Sequence, residues 1–312
     1  MTLTYKFLDP EAIIDTEDFK IVQAFLHDTG RRNIGWHYII DLTWIYSRAL
    51  HWPAGIRVLD AGGGRGPAQF LLAEMGFNVV NIDLMHTQPD YAYTRRYDMK
   101  IEGLKSHVET RYLKHILSFG RYVKLLKQAR KAVLESSMMR ESTARAYAAR
   151  HDNWRNVNGY AARQVGRIEW IVGNLCQVPE MATASFDAVI SLSALEHIPM
   201  EYLPSALMEI QRLVKPEGHW AVTTSGTEQA ETWYHDSSLG YCFSESDLAK
   251  IFRAHSVGNA NPENVLRKYH DSRYLKENLA YHYWLSGQNG MPWGKWNPAY
   301  IPVGVSELPL TT

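Results

Sequence analysis

Apolar positions in this chain fall into short continuous runs that alternate with stretches of helical spacing. Residues 15–27 read as a helix, with Thr16 as N-cap and Gly30 beyond its end. A second helix is predicted over 34–50, rich in aromatics (Trp36, Tyr38, Trp44, Tyr46), and Pro53-Ala54-Gly55 stops it. Ile56-Arg57-Val58-Leu59 is a short buried strand. Pro67 stands where a first helical residue belongs, Phe70, Leu71 and Leu72 begin an apolar face, and Gly76 closes that helix. The next strand, 78–82, ends at Asp83. Strands follow at 168–172 and 186–191, then an amphipathic helix over 201–213 with Leu203, Leu207, Ile210 and Leu213 on one face. Lys215-Pro216-Glu217-Gly218 turns the chain into a strand over 219–224. Ser244 and Asp247 form a capping pair for a helix over 245–252, and 300–305 reads as a final edge strand. Strands alternating with helices predict a doubly wound, mostly parallel α/β sheet.

The alternation stops between Asp83 and Ile168. There Ile101, Leu104, Val108, Tyr112 and Ile116 begin a helical repeat that runs on to Val133, and 142–150 forms a second helical stretch. Formal net charge is zero over the whole chain, yet residues 85–167 hold six Lys and eleven Arg against seven acids. This excess of ten positive charges marks an inserted basic helical cap on an acidic body. One reading is a cap with a solvated basic face. The other is a lid whose Arg and Lys meet a phosphate-bearing acceptor or an anionic membrane surface. Nucleic acid is disfavoured, because the rest of the surface is acidic.

An apolar content of 46% over 312 residues supports a large core. No run approaches the ~20 apolar residues of a membrane span, and the first ten residues lack a secretory apolar stretch. Cys176 and Cys242 are the only cysteines, so a disulfide framework is not expected and a cytoplasmic location is.

The chemistry concentrates after the first predicted strand of the sheet, at Asp60-Ala61-Gly62-Gly63-Gly64-Arg65-Gly66. A strand that turns sharply into a helix needs permissive backbone, and a ligand lying on that backbone excludes Cβ atoms. The helix N-terminus adds unsatisfied N–H donors. Asp83 stands where a carboxylate accepts both hydroxyls of a ribose. A dinucleotide and S-adenosylmethionine both fit this far. The dinucleotide pattern counted from Gly62 requires Gly or Ala at 67, where Pro67 stands.

Asp60 followed by Gly62-x-Gly64-x-Gly66 resembles the first motif of the class I S-adenosylmethionine-dependent methyltransferases. Further segments resemble that family in order: Asp83; Gly173-Asn174-Leu175, where an Asp is more usual than Asn174; Phe186-Asp187-Ala188-Val189 with Leu195-Glu196-His197-Ile198; and Leu213-Val214-Lys215-Pro216-Glu217-Gly218. The resemblance implies a seven-stranded Rossmann-like sheet with N-terminal helices and a helical insertion after the second strand. It assigns the backbone of Ala61, Gly62, Gly63 and Gly64 to the methionine part of the cofactor and Asp60 to its ammonium. Asp83 and Leu84 fall to the ribose, Asn174 and Leu175 to the adenine, Ser191 and Leu192 to the neighbourhood of the methyl.

For catalysis the expected residues are Glu196, His197 and His235. Glu196 and His197 follow the fourth strand at the carboxyl edge, where such sheets place their sites. The alternative is that they cap the next helix or shape the loop. Quinone-pathway O-methyltransferases share the Leu-Glu-His segment, with an upstream acid that helps hold a metal. Here that position is Ser193, so no metal is expected. His235 beside Asp236 is a base with an orienter, or an exposed loop pair. His37, Tyr38 and Asp41 are further acceptor-side groups. The expected organisation is one domain: helices over 1–52, a cofactor core from 56–84 and 168–225, the cap over 85–167, and a substrate loop with remaining strands over 226–312. The expected reaction is methyl transfer from S-adenosylmethionine to oxygen of a small molecule, sugar or lipid-linked acceptor. The alternatives are a nicotinamide-dependent oxidoreductase and a catalytically silent subunit that binds the cofactor to support a partner.

Overall fold

The computed structural model describes residues 2–29, 31, 34–84, 97–102, 165–258, 261–285 and 291–307. The chain divides into two compact units, one formed by Met1–Ile101 with Val165–Thr312 and the other by Glu102–Gln164. The helices expected over 104–133 and 142–150 lie outside the described residues.

The strands are β1 (Leu3–Phe7), β2 (Arg57–Ala61), β3 (Asn78–Asp83), β4 (Met99–Glu102), β5 (Ile168–Val172), β6 (Phe186–Leu192), β7 (Val214–Gly226), β8 (Trp233–His235), β9 (Gly240–Cys242), β10 (Ala254–Ser256) and β11 (Ile301–Glu307). The helices are α1 (Pro10–Ile13), α2 (Glu17–Asp28), α3 (Tyr38–Ala49), α4 (Ala68–Glu74), α5 (Leu203–Leu213), α6 (Glu245–Phe252), α7 (Pro262–Asp271), α8 (Arg273–Glu277) and α9 (His282–Leu285).

Nine strands form one sheet in the order β10-β1-β11-β7-β6-β2-β3-β5-β4, and β8 and β9 form a separate antiparallel pair. β2 pairs in parallel with β3 on one side and β6 on the other. The chain therefore runs outward from β2 through β3 and β5, then crosses back to β6. The loops after β2 and β6 diverge there, at the crevice where doubly wound sheets bind ligands.

Three expectations are corrected. The sheet has nine strands rather than seven. β1 was not anticipated: Leu3, Tyr5 and Phe7 alternate with Thr4 and Lys6, and the strand pairs antiparallel to β11 and parallel to β10. β11 is not an edge strand, because β7 and β1 flank it on both sides. At the opposite end, Met99–Glu102 at the start of the inserted segment forms the edge strand β4 rather than the beginning of a helix.

Local signals account for the core elements. Thr16 caps α2 by accepting from the Phe19 amide, and Ser244 caps α6 by accepting from the Asp247 amide. Helix α3 starts at Tyr38, later than predicted, after a turn in which the Tyr38 amide donates to Gly35 O. Pro67 takes the N-cap position of α4 rather than its first turn. The Lys215–Gly218 segment is an irregularity within β7: Phe186 pairs with Val214, but Ala188 pairs with His219. Val58, Leu59, Ala188, Val189 and Ile190 of the central strands are fully buried. Each of the larger ones contributes roughly 1.5–3 kcal/mol of transfer free energy. Helix α3 lies against β11, and a Cβ on Gly304 would come within 2.5 Å of the Trp44 ring.

Candidate active site

The loop after β2 is shaped by two left-handed residues, Gly62 (φ +76°) and Gly64 (φ +48°), a conformation that side chains with Cβ rarely adopt. Gly62 N–H donates to Ile82 O at 2.9 Å, and Gly66 N–H to Gly63 O at 2.7 Å. The Gly64 carbonyl accepts from Asn81 Nδ2 at 2.7 Å and from Gln69 Nε2 at 3.1 Å. Gln69 in turn accepts from the Trp170 indole. Asn81, Gln69 and Trp170 are buried supports from β3, α4 and β5 that the sequence reading missed. A polar Asn81 in the middle of the apolar run Val79 to Ile82 was the available signal.

Asp60, the penultimate residue of β2, is 0% exposed, and neither carboxylate oxygen has a hydrogen-bond partner among the described residues. Burial, reinforced by the negative charge of Asp83, pushes its carboxyl up to about 8. Asp83 ends β3 beside the same loop, with Oδ2 3.5 Å from where a Cβ on Gly64 would lie. The structure thus brings Asp60, Gly62, Gly63, Gly64 and Asp83 together. Ala194, after β6, closes on the loop from the other side: a Cβ on Gly62 would meet its Cβ at 2.8 Å and Leu175 Cδ1 at 3.7 Å.

The remaining expected cofactor residues differ in how they stand. Leu175 and Leu192 are buried, whereas Leu84 is 71% exposed. Ser191 is buried and donates to Ala61 O at 2.8 Å, so its hydroxyl ties β6 to β2. Asn174 Oδ1 accepts from the Cys176 amide at 3.0 Å, which leaves the amide NH2 as the group it can offer outward.

The residues gathered around this loop fit S-adenosylmethionine. A buried carboxylate without a partner, with a second acid beside it, suits a ligand carrying ammonium and sulfonium charges. It opposes the pyrophosphate that a dinucleotide would lay on the same loop. Asp60 and the Gly62–Gly64 backbone would hold the methionine end and Asp83 the ribose.

The expected catalytic residues are placed as follows. Glu196, in the 3-10 turn Leu195–His197, is 2% exposed. Its carboxylate accepts from the Ser193 hydroxyl, from Thr224 Oγ1 at 3.2 Å and from Ser225 Oγ at 3.2 Å. Ser193, which stands where the quinone-pathway enzymes carry an acid, therefore serves Glu196. His197 is exposed, with Nδ1 2.8 Å from Leu239 O. His235 on β8 has Nδ1 2.8 Å from Ser238 Oγ, so Ser238 rather than the adjacent Asp236 orients it. Burial lowers the His235 pKa, and Asp236 opposes that shift.

Asp41, paired with His37, stands near Glu196, as do the phenols Tyr38 and Tyr300, with Tyr283 beside them. Burial raises the Tyr38 pKa, and the negative charges of Glu196 and Asp41 raise it further. Tyr300 is raised by burial and by the same neighbourhood. Its ring packs against His37 at 5.4 Å and His235 at 5.6 Å between centroids. Tyr283 OH accepts from the Trp36 amide at 3.1 Å. Tyr283 and Tyr300 were not foreseen as site residues; they enter from distant parts of the chain.

A family model described as a methyltransferase domain matches residues 39–264. No curated protein matches the chain. Among solved structures, a 1,6-didemethyltoxoflavin-N1-methyltransferase from Burkholderia thailandensis is similar at 13% identity and TM-score 0.43, over 85% of this chain and 77% of that one. A geranyl diphosphate C-methyltransferase from Streptomyces coelicolor A3(2) is similar at 13% identity and TM-score 0.40, over 98% and 90%. The [4+2]-cyclase SpnF is similar at 14% identity and TM-score 0.46, over 93% and 94%. With likenesses this distant, the assignment rests on the family model, which spans both glycine loop and Glu196 turn. The chain belongs to the methyltransferase domain family and is an S-adenosylmethionine-dependent methyltransferase of the Rossmann-like class I type.

Proposed function

We propose that the acceptor is a neutral hydroxyl group on a small molecule, including a sugar or the headgroup of a lipid-linked molecule. The observation that carries this reading is the composition of the wall around Glu196. Its carboxylate is held by the Ser193, Thr224 and Ser225 hydroxyls rather than by Lys or Arg. Beside it stand Asp41 and the phenols of Tyr38 and Tyr300. A wall of acids and phenols disfavours a carboxylate or phosphate at the point of transfer and suits a hydroxyl.

When bound, S-adenosylmethionine supplies a methyl group already activated on a sulfonium. The residues of this chain hold and orient. Gln69 and Asn81 fix the Gly64 carbonyl, Asp60 offers negative charge to the cationic end, and the aromatic wall of Trp36, Tyr38 and Tyr300 excludes water from the acceptor. In this reading the protein is a cytoplasmic enzyme. Among the described residues no helix is long and apolar enough to cross a membrane.

The test is to incubate the protein with S-adenosylmethionine labelled in its methyl group and fractionated cell extract, and to identify what acquires label. An ether-linked methyl that survives mild base is the expected result. Label released by mild base, as from a methyl ester, or found on carbon or nitrogen overturns the hydroxyl reading.

A further inference from the structure

His37 and Asp41 form a buried pair at the start of α3. His37 immediately precedes α3 and Asp41 follows one turn later, a spacing that puts both side chains on one helix face. Nδ1 of His37 is 2.7 Å from Asp41 Oδ2, and both side chains are almost wholly buried. The other ring nitrogen, Nε2, has no hydrogen-bond partner among the described residues and is not one of the sealed polar atoms. It therefore borders open space. Trp36, Tyr38 and Tyr300 hold the ring edge-on, at centroid distances of 5.1, 4.9 and 5.4 Å.

We propose that His37, oriented by Asp41, is the catalytic base that takes the proton of the acceptor hydroxyl. This rests on the hydroxyl reading above. The acceptor oxygen forms the new O–CH3 bond with a lone pair, and the electrons of the broken C–S bond remain on sulfur. The hydroxyl proton passes to His37 Nε2, and the carboxylate of Asp41, the positioning residue, balances the imidazolium charge.

Among the described residues, the titratable groups packed against this ring are Asp41, Tyr38 and Tyr300, and Glu196, Tyr283, Tyr269 and Cys242 act on those partners; none of these is a Lys or Arg. Burial raises the Asp41 carboxyl, the imidazole opposes this, and Glu196 adds to it.

Nitrogen-15 NMR of the full chain with S-adenosylhomocysteine reads the ring without needing the acceptor. Neutral His37 is expected to carry its proton on Nδ1 and to leave Nε2 bare. In Asp41→Ala the Nδ1–H loses its acceptor, and the neutral ring shifts toward the tautomer protonated on Nε2. With the acceptor fraction identified by label, His37→Gln lowers kcat by about 100-fold or more and leaves affinity for S-adenosylhomocysteine unchanged. In Asp41→Ala kcat falls while affinity for S-adenosylhomocysteine stays unchanged. A neutral ring protonated on Nε2 in the wild type overturns the proposal, as does a His37→Gln protein with intact S-adenosylhomocysteine binding and wild-type kcat. A methyl found on an atom other than oxygen overturns the hydroxyl reading instead, whatever the tautomer.

Discussion

The side chain of Asp60 occupies the space that a side chain on Gly63 would need: a Cβ there would lie 2.0 Å from Asp60 Oδ2 and 2.3 Å from its Cγ. The glycine is required by this contact rather than by its backbone angles. Gly63→Ala must therefore displace either the carboxylate or the loop. The expected cost is about 1–3 kcal/mol of stability, typical of overpacking, with a parallel loss of S-adenosylhomocysteine affinity. Urea denaturation and calorimetry measure the two. Wild-type values for both would show that the loop yields freely.

Asp60 also sets a pH dependence. Its carboxyl is pushed up to about 8 in the fold by burial and by Asp83, whereas an unfolded Asp loses its proton near 3.9. Between these values the folded state holds a proton that the unfolded state has released. Stability therefore falls as pH rises through that window, is unaffected below it and levels off above it. The stability of the unliganded wild type relative to Asp60→Asn should decline from pH 5 to 8 by up to about 1.4 kcal/mol per pH unit. A difference constant over that range would mean that Asp60 is ionised throughout.

Glu196 is predicted to act first as a structural anchor. Glu196→Ala strands the hydroxyls of Ser193, Thr224 and Ser225 in a buried site, costing about 1–3 kcal/mol for each group left without a partner. Glu196→Gln keeps an acceptor oxygen and should cost much less. Thermal unfolding of the two variants distinguishes the cases. Equal melting temperatures, both near wild type, would show that the hydroxyls find other partners.

Asp83→Ala should weaken S-adenosylhomocysteine by about 1–3 kcal/mol, the worth of hydrogen bonds between a carboxylate and a ribose. Removing its charge should also bring the Asp60 carboxyl down, because Asp83 contributes to its elevation. Calorimetric titration at two pH values reads both effects, and unchanged affinity would remove Asp83 from the ribose.

The glycine loop and its two acids were legible because their signals are local. A buried strand reads as the apolar run Val58-Leu59, the turn after it demands glycine at 62 and 64, and Asp83 follows the next apolar run. The neighbourhood of Glu196 and His37 is assembled over long distances. The spacing of His37 and Asp41 is visible in the sequence, but Tyr300, which packs on His37, comes from the far end of the chain. Nothing near Glu196 reveals that Thr224 and Ser225 lie beside it, since that depends on the β6–β7 register. Strand order failed for the same reason. Leu3-Thr4-Tyr5-Lys6-Phe7 carries the alternation of a strand, but its partner β11 is almost three hundred residues away.

The central claim is that the glycine loop with its unpartnered acid binds an adenosyl amino acid and not a dinucleotide. Isothermal titration of the full chain with S-adenosylmethionine, S-adenosylhomocysteine and NAD tests it most directly. Saturable binding of both adenosyl compounds, with no heat from NAD, is the predicted result. Binding of NAD with no response to either adenosyl compound would contradict the account.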